Sequence, residues 1–158
     1  MSTPEFMYET FIGATPEKIW EGLTSAAFTS QYFHGTRIRS DWTVGSPVVF
    51  MGTEDTAVVE GEVLVADRPT LLSYSWVSLY DEECAKEAPS RVTFEIEPMG
   101  GACRLRITHD RFQENSQTYE RVRQGWSAII CSLKSLLETG QALPIAGNEE
   151  EEEQKGAA

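Results

Sequence analysis

Between Ser116 and Thr139 the apolar residues Tyr119, Val122, Trp126, Ile129, Ile130, Leu133, Leu136 and Leu137 return at steps of three and four. At 3.6 residues per turn they form one stripe, which predicts a single long amphipathic helix. Ser116 fits the N-cap, and Gly140 stands where a left-handed stop is expected. A helix of this kind cannot bury its stripe alone. The segments before it are mostly strand-like, so its partner must be a sheet.

The strand signals are period-two alternations. Phe6–Ile12 reads as a first strand, rich in aromatic and β-branched residues. Two brief helices follow. Thr15 caps the first, Pro16 fits its first position and Ile19, Trp20 and Leu23 share its buried face. The second runs from about Ala26 to Tyr32 and ends near Gly35. Strands are then predicted over Thr36–Trp42 and Pro47–Met51, joined by a turn on Gly45, and over Ala57–Ala66 and Thr70–Val77, joined across Asp67–Pro69. In the third of these, Val59, Gly61, Val63 and Val65 should face one way and Glu60 and Glu62 the solvent. In the fourth, Leu72, Tyr74 and Trp76 alternate with Ser73 and Ser75. Residues 78–89 read as a polar loop. Arg91–Pro98 and Cys103–His109 complete a hairpin about Met99–Gly101, with Asp110 facing away from His109. The expected class is α+β: a curved antiparallel sheet of about six to seven strands wrapped around the C-terminal helix.

Length and charge limit the rest. At 158 residues the chain has room for one domain of ordinary size. Residues 1–146 are assigned to it and 147–158 to an acidic disordered tail. The net charge is −12. The tail, GNEEEEEQKGAA, supplies five Glu and one Lys (−4), leaving −8 for the remainder. A body that acidic repels phosphate backbones, so nucleic acid is not expected as a partner. No apolar run is long enough to span a membrane, and the start lacks a signal-peptide pattern. Cys84, Cys103 and Cys131 form no C-x-x-C and read as unpaired thiols of a cytoplasmic protein.

Residues expected to face the space between sheet and helix are Tyr74, Trp76, Phe94, His109, Trp126 and Ile129. Most are core-like; Tyr74 and His109 are the polar members, and His109 can titrate near neutral pH. Gly125 is out of place inside a helix, and close approach to the sheet or space for a ligand would account for it. His34 reads as a surface residue. Two distant histidines without clustered carboxylates give no metal site. No nucleophile motif, phosphate loop or nucleotide fingerprint is present, so no catalytic residue and no cofactor is assigned.

Five segments in order carry a resemblance: IGATPEKIWEGLT, DWTVGSPVVF, GEVLVADRPTLLSYSW, SRVTFEIEPMGGACRLRITHDRF and GWSAIICSLKSLLE. Together they resemble the START-like, or SRPBCC, superfamily. The branch is that related to the C-terminal domain of the activator of the 90-kDa heat-shock protein's ATPase. The resemblance covers about residues 6–140. It implies the helix-grip fold, with a cavity between sheet and helix that in many relatives holds small apolar or amphipathic molecules. It adds Tyr32, Phe33 and Phe50 to the candidate lining; Tyr32 stands where the family often has Trp. The expected function is therefore small hydrophobic-ligand binding, possible as a homodimer. One alternative is a cyclase or dehydratase acting on an aromatic or polyketide-like substrate. The other is a co-chaperone-like interaction module, disfavoured without the separate N-terminal domain that accompanies the chaperone activator.

Overall fold

The computed structural model describes residues 3–144; the predicted tail, 147–158, lies outside them. The strands are β1 (Phe6–Ile12), β2 (Arg37–Arg39), β3 (Pro47–Met51), β4 (Ala57–Asp67), β5 (Leu71–Ser78), β6 (Ser90–Met99) and β7 (Ala102–Asp110). The helices are α1 (Pro16–Thr24), α2 (Ala26–Tyr32), α3 (Glu82–Ala85) and α4 (Gln117–Thr139). All strand pairs are antiparallel, in the order β1-β7-β6-β5-β4-β3-β2. The sheet grips α4 with one face, and α1 and α2 pack beside that helix. The fold is α+β, of the helix-grip type.

Local chemistry accounts for the helix ends. Thr15 Oγ1 accepts from Lys18 N–H at 3.2 Å, and Pro16 opens α1. Ser116 Oγ accepts from Tyr119 N–H at 3.0 Å, and Gly140 closes α4 with φ 87°. α4 also protects the β1 edge. Lys134 donates to the Phe11 carbonyl at 2.7 Å, and Glu138 accepts from Gly13 N–H at 2.6 Å. Those two backbone groups would otherwise be open to another strand. The Lys134 ammonium, with the Gly13 N–H, holds the Glu138 carboxyl below its ordinary value.

Three features depart from the alternation pattern. Strand β2 stops at Arg39 instead of Trp42, because Trp42 takes φ 56° and its N–H turns to Ser40 Oγ at 3.0 Å. In β4 the register shifts between Val63, opposite Tyr74, and Val65, opposite Ser73. The extra residue, Leu64, is a β-bulge, so Val65 leaves the inward set and Ala66, opposite Leu72, joins it. Finally, the polar loop contains α3. Asp81 caps it by accepting from Glu83 and Cys84 N–H. Glu87 then binds the start of α4, accepting from Ser116 Oγ–H and Gln117 N–H, both at 2.6 Å. A carboxylate suits the positive end of a helix.

Candidate ligand-binding site

The space between sheet and helix is occupied by rings. Phe33, which closes α2, lies 4.8 Å from Phe50, 5.5 Å from Trp126 and 6.4 Å from Trp76, centroid to centroid. Phe94 adds an edge contact to Trp126 at 6.0 Å. What remains is a void of about 10 Å³, lined by Leu23, Tyr32, Phe33, Phe50, Tyr74, Phe94, Trp126, Ile129 and Ile130. That is room for one water at most. Seven of the ten residues named from the sequence meet there; Trp76 and His109 belong to the adjoining ring cluster. Leu23 and Ile130 were legible as buried helix residues but not as lining, because lining depends on how α1 crosses α4.

Gly125 is not among the lining residues and does not approach the sheet. A Cβ there would meet Ile129 Cδ1 at 3.9 Å, an ordinary contact. Gly125→Ala is therefore expected to raise stability by up to about 1 kcal/mol, the helix-propensity difference. Chemical denaturation checks this, and a loss of stability would contradict the open space described.

His109 is fully buried and fully bonded. Trp126 Nε1–H can only donate, and it reaches His109 Nδ1 at 3.0 Å, so Nδ1 accepts. The ring proton then sits on Nε2 and is donated to Ser90 Oγ at 2.8 Å. Ser90 passes its own proton to the Trp76 carbonyl at 3.3 Å. Phe112 stacks on the imidazole at 4.6 Å. Burial drives the His109 pKa down to about 3, against a small opposing pull from Asp110. The imidazole is thus a neutral structural link, with no nitrogen left for substrate.

A pH dependence follows. The unfolded chain takes up a proton at His109 near pH 6.5, whereas the folded chain resists until about 3. This contribution to stability is complete above pH 6.5 and is lost as pH falls towards 3, by about 1.4 kcal/mol per pH unit. The carboxyl of Asp110 is held low, chiefly by its hydrogen bond from Arg91, so it adds its own loss at lower pH. Between pH 6 and 5 His109 contributes this slope. Urea denaturation at both values should show it in the wild type and not in His109→Gln; an equal slope in both would refute the assignment.

The two phenols differ. Tyr32 Oη donates to the Gly22 carbonyl at 2.7 Å. Tyr74 is 2% exposed, and its hydroxyl makes no hydrogen bond to any other described residue. No fully enclosed side-chain polar atom lacks a partner among the described residues, so the Tyr74 hydroxyl is not fully enclosed. Burial raises both pKa values far above the ordinary phenol value, keeping both groups protonated.

On its other side Tyr74 touches Trp42, at 6.2 Å between ring centroids. Trp42 lines an open groove of about 420 Å³ together with Thr24, Ile38, Arg39, Ser40, Asp41, Pro47 and Val49. Trp42 therefore lines the groove and meets Tyr74, which lines the void. None of this groove was legible, since the fold gathers it from three separate segments. The signal missed was a tryptophan in a Ser- and Gly-containing turn.

A curved antiparallel sheet closed by one long C-terminal helix, with a single aromatic interior between them, defines a START-like domain. The chain belongs to the Activator of Hsp90 ATPase homolog 1-like protein family, whose model matches residues 13–138. No curated protein matches the sequence. Among solved structures, the Aha1 dimer from Colwellia psychrerythraea superposes with a TM-score of 0.71 at 19% identity, covering 89% of this chain and 100% of that one. Protein MLL2253 from Mesorhizobium loti gives 0.73 at 24%, covering 85% and 97%. PFC0360w, an HSP90 activator from Plasmodium falciparum, gives 0.64 at 20%, covering 78% and 87%. At these identities the likeness is one of fold.

Proposed function

We propose that this protein binds a small apolar or amphipathic molecule, which enters from the groove by swinging the Trp42 ring away from Tyr74. The carrying observation is the position of Tyr74: its ring lines the void and meets Trp42 of the groove, and its hydroxyl is a polar group in an otherwise apolar wall. Binding pockets are mostly apolar with a few such groups. The candidate lining is Tyr32, Phe33, Phe50, Tyr74, Phe94, Trp126 and Ile129, backed by Trp76 and His109. Because the void is about 10 Å³, any ligand larger than water must displace Trp42 and draw on the groove volume. Protonation chemistry favours binding over a cyclase or dehydratase activity. Both phenols stay protonated and His109 stays neutral and doubly bonded, so no group at the void exchanges a proton near pH 7. Three free cysteines accord with a cytoplasmic setting. The test is native mass spectrometry of protein purified from its own host. A co-purifying small molecule is expected, and because Trp42→Ala opens the route it should exchange out of that variant faster than out of the wild type; an unchanged rate of release would refute this route of entry.

A second reading, a co-chaperone-like interaction module, is favoured by the filled interior and by the HSP90 activator among the structural neighbours. Met7 and Phe11 are 58% and 50% exposed on the outer face of β1 and would serve it. The Colwellia dimer likewise makes a homodimer of this chain a reading to test, by light scattering against the 17.7 kDa monomer.

A further inference from the structure

The groove is lined by one basic and one acidic side chain, Arg39 and Asp41. Nine described basic side chains are ion-paired: Arg37, Arg68, Lys86, Arg91, Arg104, Arg106, Arg121, Arg123 and Lys134. Lys18 lies over the Phe28 ring, and Arg111 makes no ion pair among the described residues but acts through its charge on the neighbouring Asp110 carboxyl. Arg39, in a chain with 25 acidic residues, pairs with no described carboxylate, although Asp41 is two residues away and lines the same groove. Asp41 likewise has no cation among the described residues. A guanidinium and a carboxylate thus stand side by side without meeting, one on each side of Ser40.

Directly after Asp41 the backbone turns to present Trp42. Its φ of 56° is a conformation bulky residues rarely adopt. Hydrogen bonds hold it there. Ser40 Oγ accepts from Trp42 N–H at 3.0 Å and lies 3.3 Å from Ser46 Oγ, which donates to the Thr43 carbonyl at 2.7 Å. The strained turn places Trp42 in the wall of a groove that Ile38, Pro47 and Val49 also line. An aromatic and aliphatic surface flanked by one positive and one negative group complements one kind of small molecule.

We infer that the groove recognises a zwitterion carrying an apolar ring, an aromatic amino acid in type, with its carboxylate on Arg39, its ammonium on Asp41 and its ring on Trp42. This rests on the reading of the groove as a ligand site, and it adds charge selectivity. A simple anion would meet Arg39 but also Asp41 and the field of a −12 chain, and a simple cation would leave Arg39 uncompensated. The zwitterion alone satisfies both groups.

One scaffold in three charge states provides the test. 2-Naphthylalanine is zwitterionic, its N-acetyl derivative anionic and its amide cationic at pH 7. Titrations followed by the Trp42 indole N–H resonance should show the zwitterion binding about tenfold more tightly than either derivative. Arg39→Gln should reduce the zwitterion to the level of the amide, and Asp41→Asn to the level of the N-acetyl form. Both side chains are exposed, and unchanged circular dichroism will verify folding. Equal affinity for all three probes, or no effect of either substitution, overturns the inference and leaves small-molecule binding standing. Absence of binding by any probe to millimolar concentration overturns both. Displacement of the zwitterion by the peptide GNEEEEEQKGAA would assign the groove to the chain's own C-terminus, and loss of binding with doubling of mass would assign it to a second copy; either contradicts the inference.

Discussion

Replacing Trp126 with alanine is expected to lower the unfolding free energy by ~3–5 kcal/mol. The ring is 2% exposed and touches Phe33, Trp76 and Phe94 at centroid distances of 5.4 to 6.0 Å. Its removal opens a cavity at the centre of the α4–sheet contact. The same change strips His109 Nδ1 of its only donor, so a buried acceptor is left unsatisfied. Trp126→Phe separates the two effects. It keeps most of the volume but not the N–H, and should cost about 1–3 kcal/mol. Equilibrium urea unfolding measures both. A loss below about 1 kcal/mol for Trp126→Ala would show that the α4 stripe is not the core.

The second large effect is expected at Gly61, where methyl addition alone should cost about 3 kcal/mol or prevent folding. A Cβ at this position would stand 1.7 Å from the Ser75 carbonyl oxygen, which is backbone and cannot swing aside. Here β4 crosses β5 so closely that Glu62 N–H donates to Ser75 Oγ at 2.9 Å. The paired residues resume at Val63 and Tyr74, and the bulge at Leu64 follows at once. Gly61 therefore permits the bend that brings Tyr74 over the void. Gly61→Ala should unfold at markedly lower urea; wild-type stability would mean that this close approach is not a feature of the fold.

The elements of the fold were legible where one pattern had one solution. The α4 stripe, with Ser116 before it and Gly140 after it, predicts the observed helix almost to its ends. Phe6–Ile12 and Pro47–Met51 are strands with the predicted limits. What stayed hidden depends on contacts between distant residues. A bulge at Leu64 is invisible when Val63 and Val65 are the same residue type and only pairing with β5 distinguishes their faces. Ile38 and Trp42 sustain an apolar alternation that predicts strand through the Trp42 turn; hydrogen bonds from the Trp42 and Thr43 N–H groups to Ser40 and Ser46 Oγ override it. Helix α3 is four residues long, and Asp81 and Glu87, not an apolar face, hold it in place.

The candidate site was legible to the same extent. Each ring's inward orientation follows from strand or helix phase, but the volume the rings leave free does not. Phe33, Phe50, Trp76 and Trp126 come from four different elements, and the sequence gives no measure of how completely they fill the space. His109 was placed on the correct face, yet its partner Ser90 lies at the start of β6, reached only through the pairing of Val92 with His109.

The central claim is that Trp42 separates an outer groove from an inner aromatic site at Tyr74 and Trp126. Indole N–H resonances test it most directly, since the chain has four tryptophans in distinct places. Titration with 2-naphthol, an uncharged amphipathic ring, should shift the Trp42 and Trp126 signals along one saturable curve. Trp20, on the buried face of α1, should not move. Movement of Trp42 alone would confine the ligand to the surface, and no movement of either at millimolar probe would contradict the account.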